Sequence, residues 1–351
     1  MENQEILRSK PLSYEASKAV LKSLKLETRE SINRRIPALR TVNSRLPYVL
    51  EDVVICDDFF EIDGRQWNMR PVWVQISENP IRQVVDPEKC KLELHQNLRK
   101  EYYSLNKSPE EIYEKLFHEY IRDGTVVRGS LYLIGIPEFM KGIRENEKDL
   151  KMKVTNLEVD IYERDYHFFR FIDVVVLENV LIIAYENSLT LLDKPEIKTC
   201  QNLTVVAVFY VLPSVDQFLR LRNQNLKLEN FGLTLHDLQL LVQDWITTGR
   251  DIGSRFRWEP PLSSEDVLPI MEHLKTHLGA VEAGSHLDYY FSNKTIHGKG
   301  ITLKMGEDCE LVMFCGKSNI PSAFHILHPW FFEMEVVSST RAAVTVPTSG
   351  V

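Results

Sequence analysis

The histidines at positions 273 and 277 are the clearest pair whose spacing could do chemistry. His273 and His277 stand four residues apart on a predicted helix, a spacing that places both side chains on one face and suits a metal ion. In zinc proteases a glutamate follows the first histidine, whereas here Glu272 precedes it. No third ligand is placed nearby by the sequence. We therefore expect surface histidines, with no metal ion and no other cofactor.

The cysteines give no metal or redox motif. The chain has 5 cysteines, an odd number without a Cys-x-x-Cys pair, and Cys309 and Cys315 fall in a β-rich region where core packing is expected. The N-terminus has no apolar signal core, and no run of about 18 apolar residues could span a membrane. These features predict reduced thiols in the cytoplasm or the nucleus and no membrane partner.

Motifs of catalysis are also lacking. The chain has no phosphate-binding glycine loop, no Gly-x-Ser-x-Gly, and no carboxylate pair whose spacing requires acid–base work. Trp245 could be a binding aromatic, but it lies at helical spacing among leucines and is expected in the core. We predict a protein that is not an enzyme. A hydrolase whose site the sequence cannot show remains a remote alternative.

Charge is distributed unevenly along the chain. Residues 1–50 hold ten Lys and Arg against five Glu, while the chain as a whole carries −8. A basic head on an acidic body argues against a body that wraps nucleic acid, because phosphate binding needs a basic face. The basic head permits an acidic protein partner. It is equally compatible with a solvated helix face.

Local patterns divide the first half of the chain. Residues 11–46 predict short helices, with Ser13 as a cap and Pro37 as a break. Residues 48–77 predict strands around an Asp63-Gly64 hairpin, and residues 78–107 show no clear pattern.

The second half contains two well-marked helices. Ser108-Pro109-Glu110-Glu111 is a capping box with proline in the first turn, and Thr234 with Asp237 has the same form. Gly249 is expected to end the second helix, which is followed by a strand at 255–258 and another helix at 269–278. Residues 287–337 look all-β, and residues 338–351 are small and polar, as expected for a disordered tail.

A 23-residue spacing relates four β-like runs in the middle of the chain. The runs start at Asn156, Asn179, Asn202 and Asn225, and each has Asn followed by aliphatic residues. A period of about 20–29 residues with such strands is typical of leucine-rich arrays, in which units stack to share one core. We predict neighbouring parallel strands of one sheet, with helices or turns covering one face.

The head resembles an F-box. The resemblance is carried by Pro11-Leu12-Ser13-Tyr14-Glu15, Val20-Leu21, Leu24, Arg29 and Pro37-Ala38-Leu39-Arg40, although the order of Pro and Leu is exchanged and no Trp stands near residue 39. Over about residues 11–260, the chain is similar to a nematode-expanded family of uncharacterised proteins related to F-box proteins. This similarity is carried also by Leu116–Tyr120 and by residues 241–253. That family implies no established activity.

The resemblance implies a Skp-type adaptor of a cullin ubiquitin ligase as a partner. Its apolar groove would receive the expected partner-binding residues, which are Pro11, Leu12, Val20, Leu21 and Leu24, with Arg29 facing an acidic adaptor. The alternative is that these leucines pack on the protein's own body, as in the cap of a solenoid.

These observations lead to one architecture and two functional hypotheses. We expect an α/β protein with an F-box-like helical head (1–46), an irregular leucine-rich-repeat-like strand–helix body with a β-rich C-terminal part (47–337), and a tail (338–351). It would be a protein-interaction module, either the substrate-recognition subunit of a cullin-type ligase that holds an unknown target, or a scaffold or receptor with no ubiquitin connection.

Overall fold

A computed structural model of the chain describes residues 13–78, 81–142, 150–161, 167–208, 214–261, 267–283, 300–317 and 330–339. Helices and strands are mixed throughout, which confirms the α/β class. The chain divides into two compact units. The N-terminal unit comprises residues 1–157 and 165–177, and the C-terminal unit comprises residues 158–164 and 178–351.

The N-terminal unit begins with helices and continues with strands. Its α-helices are α1 (Tyr14–Ser23), α2 (Leu26–Arg35), α3 (Arg40–Asn43) and α4 (Pro109–Tyr120). Its strands are β1 (Val49–Leu50), β2 (Val53–Ile55), β3 (Phe59–Ile62), β4 (Arg65–Glu78), β5 (Ile81–Gln96), β6 (Arg99–Leu105), β7 (Val126–Leu133), β8 (Met152–Val159, which ends in the other unit) and β9 (Ile172–Asp173). Short 3₁₀ turns cover Pro37–Leu39, Glu138–Met140, His167–Phe171 and Val174–Val176.

The helical start of the chain follows its capping and breaking residues. The Ser13 hydroxyl accepts a hydrogen bond from the backbone N–H of Ala16 at 3.2 Å, which satisfies one of the unpaired donors at the start of α1. Proline cannot continue a helix interior, so α2 ends at Arg35 and the chain restarts as a 3₁₀ turn at Pro37. Both features confirm the prediction for this segment.

The Asp63-Gly64 hairpin is also confirmed. Both residues have left-handed backbone, with φ of 51° and 77°, and Ile62 of β3 pairs with Arg65 of β4. The Asp63 side chain accepts the backbone N–H groups of Glu51 and Asp52 at 2.8 and 3.1 Å, which fixes the turn against the preceding chain. Such turns favour Asp and Gly because both tolerate positive φ.

An aromatic core joins α4 to the strands of the N-terminal unit. The capping box of Ser108 and Glu111 starts α4 as predicted. The ring of Tyr113 then lies 5.7 Å from that of Phe60, and the rings of Trp67 and Tyr120 lie 5.0 Å apart. Offset aromatic pairs of this kind contribute about 0.5–1.5 kcal/mol each beyond area burial.

Residues 78–107, which show no clear sequence pattern, contain all of the long strand β5 and all of β6. β5 pairs antiparallel with β4 and with β6. Every residue of β6 except Leu105 is exposed, so neither face of the strand is buried. The sequence of β6 therefore shows no alternation of apolar and polar residues.

The C-terminal unit alternates strands with short helical connections. Its strands are β10 (Asn179–Ala184), β11 (Asn202–Ala207), β12 (Asn225–Glu229), β13 (Arg255–Glu259), β14 (Val281–Glu282), β15 (Ile301–Lys304), β16 (Cys309–Lys317) and β17 (Trp330–Ser338). Its helices are α5 (Pro195–Thr199), α6 (Val215–Leu219), α7 (Leu235–Thr248) and α8 (Leu268–Leu278), with a 3₁₀ segment at Glu186–Asp193.

The 23-residue spacing corresponds to parallel pairing for three of the four predicted strands. β10, β11 and β12 pair in parallel, with Asn179 opposite Asn202 and Asn202 opposite Asn225. The fourth segment, starting at Asn156, lies in β8, which crosses the boundary between the two units. In the C-terminal unit, residues 23 positions apart in the sequence therefore lie opposite each other on neighbouring strands.

The sheet continues beyond the repeated strands. β13 joins in parallel with Arg255 opposite Asn225, although 30 residues separate them, because the longer helix α7 intervenes. β17 then pairs antiparallel with β13, and β16 and β15 follow antiparallel. These strands confirm the β-rich C-terminal part for the described residues. β17 extends to Ser338, and residues 340–351 of the predicted tail lie outside the described residues.

Helix α7 covers one face of this sheet. Thr234 and Asp237 form the predicted capping box, and Gly249 follows the helix with φ of 69°. The Trp245 side chain is buried, and its ring lies 6.4 Å from that of Phe256, whose Cα position is next to Leu226 in the sheet. The expected core position of Trp245 is confirmed.

We expect Trp245→Ala to lower the free energy of unfolding by about 3–5 kcal/mol, because the surrounding side chains cannot refill the space of a buried indole. Chemical denaturation followed by circular dichroism measures the change. The exposed Trp73 provides the control, and Trp73→Ala should change stability by less than about 0.5 kcal/mol. A small loss for Trp245→Ala, comparable to that of the control, would contradict the packing.

Candidate protein-interaction surfaces

The residues predicted to bind an adaptor divide into two groups in the structure. Val20 is 44% exposed on α1 and Leu24 is half-buried, so both can contact a partner. Leu21 is 2% exposed and Arg29 is fully buried, so both serve internal packing in this arrangement. The remaining two, Pro11 and Leu12, lie outside the described residues.

Arg29 anchors α2 to the chain that follows the helices. Its guanidinium donates hydrogen bonds to the backbone carbonyls of Asn43 at 3.1 Å, Leu46 at 2.8 Å and Pro47 at 2.6 Å, and also to the Asn43 side chain. Burial lowers the pKa of Arg29 to about 10, which leaves the guanidinium charged at neutral pH. The carbonyls and the Asn43 amide thereby take the place of water around a buried cation.

Tyr48 completes this arrangement by lying between two guanidinium groups. The guanidinium of Arg29 lies 4.0 Å and that of Arg122 lies 4.6 Å from the centre of the Tyr48 ring. Arg122 also donates to the carbonyls of Asn43 and Leu46 at 2.5 and 3.0 Å. Cation–π attraction is strongest where water is excluded, so the ring offsets part of the cost of burying Arg29.

A second contact attaches α2 to the strands. The carboxylate of Glu30 forms an ion pair with Arg65 at 2.8 Å and accepts the hydroxyl of Tyr120 at 2.9 Å. Burial first, and then the charge of Glu30, raise the pKa of Tyr120 above its ordinary value, so the hydroxyl remains a donor. Helix α2 is therefore an integral part of the N-terminal unit.

The outer surface of the helical head is basic. Arg29 is buried and Glu30 is paired internally, and among the described residues of the head six exposed cations outnumber the two exposed acids, Glu15 and Glu27. The exposed Tyr14, Val20 and Ile36 lie near these cations in the sequence. These cations are Lys22, Lys25, Arg34, Arg35, Arg40 and Arg45. We call these six cations, together with Tyr14, Val20 and Ile36, the basic head surface.

The repeat asparagines form a hydrogen-bonded ladder across the sheet of the C-terminal unit. The side-chain amide of Asn202 donates to the Asn179 side chain at 2.5 Å, and that of Asn225 donates to the Asn202 side chain at 2.6 Å. The preceding residues are also joined, with the Gln201 side-chain amide donating to the Gln224 side-chain oxygen at 2.9 Å. Identical side chains can bond in this way because the strands are parallel and in register.

Ion pairs occupy the same face of the sheet beside the ladder. Lys227 on β12 contacts Glu229 at 2.6 Å and Glu259 on β13 at 3.3 Å. Arg257 contacts Glu259 at 2.7 Å and Glu333 on β17 at 3.7 Å. Arg255 contacts Glu335 at 2.8 Å and Glu333 at 3.7 Å. We call this face the ladder face.

Exposure varies across the ladder face. Lys227 and Arg255 are partly exposed, with 35% and 42% of their side-chain surface accessible, Arg257 is less exposed, and the carboxylates of Glu259 and Glu333 are almost completely covered. The Arg257 guanidinium lies 3.8 Å from the centre of the Phe331 ring, and that ring packs directly over Gly316, where no side chain larger than hydrogen would fit. The face therefore presents cations outward over buried carboxylates and an aromatic ring.

The histidines and cysteines that the sequence offers as candidates for metal binding or redox chemistry have ordinary structural roles. The His273 and His277 rings stack at 4.0 Å, and among the described residues no group of three histidine, cysteine or acidic side chains is placed to hold a metal. Burial raises the pKa of Cys315 to about 12, and its thiol contacts the Val267 carbonyl at 3.4 Å, as expected for a core cysteine. All five cysteines are free thiols.

The charged residues of the ladder face are functional candidates that the motifs above do not predict. Their signal is a two-residue spacing within strands, as in Lys227-x-Glu229, Arg255-x-Arg257-x-Glu259 and Glu333-x-Glu335. Because side chains alternate across a strand, each set points to one face. The spacing could have shown a charged face, but not which charges meet across strands.

Comparison with known proteins gives one match. A family model described as a domain of unknown function (DUF3557) matches residues 108–259, less than half of the chain, from the cap of α4 to the last residue of β13. No curated protein matches the chain. No solved structure matches it. Within the described ranges, no helix is long and apolar enough to cross a membrane.

We expect Arg29→Ala to lower the free energy of unfolding by about 3 kcal/mol, because the substitution leaves buried carbonyls without their charged donor. Denaturant unfolding provides the measurement. Arg34, on the same helix and exposed, is the matched control, and Arg34→Ala should cost less than about 0.5 kcal/mol. Equal effects at the two positions would show that Arg29 is not a stabilising anchor.

Proposed function

We propose that the chain is a non-enzymatic protein-interaction module whose C-terminal unit is a leucine-rich-repeat-like array that binds a target protein. The proposal rests on the in-register parallel pairing of β10, β11 and β12 at 23-residue intervals. The row that contains Val180, Leu203 and Leu226 is buried, whereas the opposite face of the same strands combines polar residues with Leu181, Ile183 and Val206 and is partly exposed except at Val206. Stacked repeats commonly use the open face of their sheet to bind partners.

The ladder face favours recognition over catalysis. Its carboxylates are matched with cations on neighbouring strands, so they form pairs that neutralise each other. A partner with both charges in a complementary arrangement could exchange contacts with Lys227 and Arg255, the two most exposed cations. Such charges set the register and specificity of an interface more than its affinity.

Thr204→Arg tests this surface. Thr204 lies beside Lys227 on the ladder face, and a long cation there should block docking and lower target binding at least about tenfold. Thr199→Arg makes the same substitution at an exposed position on α5 and should leave binding unchanged. Quantitative affinity capture identifies proteins lost with the first variant, and titration of each purified candidate measures its affinity.

The outcome is decisive if both variants retain the wild-type melting temperature. Proteins that bind wild type and Thr199→Arg but not Thr204→Arg support the ladder face as the target site. Identical capture by the two variants would rule out this face.

A second proposal concerns the helical head. We infer that the basic head surface binds an acidic Skp-type adaptor, which would make the protein the substrate-recognition subunit of a cullin-type ubiquitin ligase. The exposed Val20 and Tyr14 on α1 support this proposal, as do the surrounding cations. The contact would use Val20 and Leu24 rather than the buried Leu21 and Arg29.

Val20→Asp should abolish adaptor binding at micromolar concentrations in low salt while preserving the melting temperature, because the charge would enter an apolar contact. Val175, exposed elsewhere in the N-terminal unit, provides the control substitution Val175→Asp. Leu21→Asp should instead unfold the unit. If wild-type protein and purified adaptor form no complex, the ubiquitin connection is excluded and the scaffold or receptor hypothesis is retained.

The proposed location is the cytoplasm or the nucleus. Five free thiols fit a reducing compartment, and a ligase subunit or an intracellular scaffold would act there.

A further inference from the structure

The turn between β5 and β6 holds a leucine in a backbone conformation that leucine disfavours. Gln96 pairs with Arg99, so Asn97 and Leu98 form a two-residue hairpin loop, with φ of 50° and 65°. Loops of this kind need positive φ at both positions and favour Asn followed by Gly. Leu98 occupies the position where glycine is preferred, and its Cβ is brought close to the following carbonyl oxygen.

The other left-handed positions of the chain carry residues suited to them. Among the described residues other than glycine, positive φ is found at Leu98 and at Asp63, Asn97 and Asn230. Asp and Asn tolerate this conformation because their short polar side chains can form hydrogen bonds with the nearby backbone. The β3–β4 hairpin follows the rule in full, with Gly64 at its second position. The requirements of the turn therefore do not explain the leucine.

Packing does not explain the leucine either. The Leu98 side chain is fully exposed, so it adds no buried apolar area to the fold. Exposed leucines are ordinary on protein surfaces, but a bulky residue with positive φ is an outlier. Unfavourable backbone conformations are concentrated at binding sites, where a contact compensates for their cost. The combination of exposure and positive φ indicates that Leu98 contacts another molecule.

The position of the turn identifies the surface to which Leu98 belongs. The side-chain amide of Gln96 donates to the carboxylate of Glu27 on α2 at 2.9 Å, which attaches the turn to the helical head. A cavity of about 290 Å³ lies between them, and its lining includes Lys25, Leu26, Glu27, Gln96 and Asn97. Lys25 is a member of the basic head surface. The turn between β5 and β6 therefore extends that surface.

The charges beside the turn match those of the basic head surface. Leu98 is followed by two exposed cations, Arg99 and Lys100. The nearest acids are Glu27 and Glu101, and each accepts a hydrogen bond from a side chain of the same unit. An apolar side chain bordered by cations is complementary to an acidic partner that offers an apolar pocket.

We propose that Leu98 is an apolar anchor for the acidic partner of the basic head surface. The Skp-type adaptor would then contact the turn between β5 and β6 as well as Val20 on α1. This inference rests on the proposed adaptor binding and adds to it a contact from outside the F-box-like segment. The left-handed turn directs the leucine away from its own unit, so the side chain is available without a rearrangement.

Leu98→Gly tests the anchor because stability and binding should not fall together. Calorimetric titration of the full-length chain with purified Skp-type adaptor in low salt should show at least about tenfold weaker binding for this variant. Its melting temperature should equal or exceed that of wild type, since glycine adopts positive φ freely and no packing is lost. Leu98→Asn suits the turn and should weaken binding to a similar extent.

Asn97→Gly is the matched control. It introduces the same residue at the neighbouring left-handed position and should leave the affinity unchanged. Binding that Val20→Asp removes but Leu98→Gly preserves would overturn this inference and leave the proposed adaptor contact of the head intact. Equal weakening by Asn97→Gly, or a lower melting temperature for Leu98→Gly, would also overturn it. If wild type does not bind the adaptor, both proposals fall.

Discussion

Parallel, in-register pairing of strands 23 residues apart is the constraint on which the C-terminal unit depends. A single strand with its short connection cannot cover its own apolar row, so Val180, Leu203 and Leu226 become buried together only when β10, β11 and β12 align. The same alignment brings Asn179, Asn202 and Asn225 into bonding distance. A shift of one residue would turn every aliphatic side chain to the opposite face and would also break the amide ladder. The ladder and the core therefore specify the same register.

The two units use arginine in opposite ways. Arg29 is enclosed by carbonyls, an amide and the Tyr48 ring, where its planar fork can satisfy several acceptors at once. Arg255 and Arg257 lie on a sheet face and pair with carboxylates of a neighbouring antiparallel strand. In the first case the cation fixes a helix to its unit, and in the second it contributes to an open surface. The same residue type thus stabilises the packing of a helix at one place and contributes exposed charges to a sheet face at another.

Burial changes the interpretation of the F-box-like segment. The order of residues places Leu21 and Arg29 among the contact positions, but both are enclosed within the N-terminal unit, while Val20 and Tyr14 remain outside. Residue order alone could not separate these roles, because adjacent positions on a helix lie 100° apart and either face can be covered. The proposed adaptor contact thereby moves to Val20, Leu24 and the surrounding cations, which can be tested without disturbing the core.

Local chemistry in the sequence determined the helix starts at Ser13, Ser108 and Thr234, the Asp63-Gly64 turn, the core position of Trp245 and the 23-residue register, because each rests on neighbouring residues or on a repeated pattern. Only the tertiary structure decided that β5 and β6 are strands between residues 81 and 105, since β6 is exposed on both faces and β5 has apolar residues on both faces, so neither has a clear two-residue period. It also decided which charges meet on the ladder face. Contacts such as that of Arg257 with Glu333 join residues far apart in the chain, and their pairing depends on strand order, which is set by the packing of the whole unit.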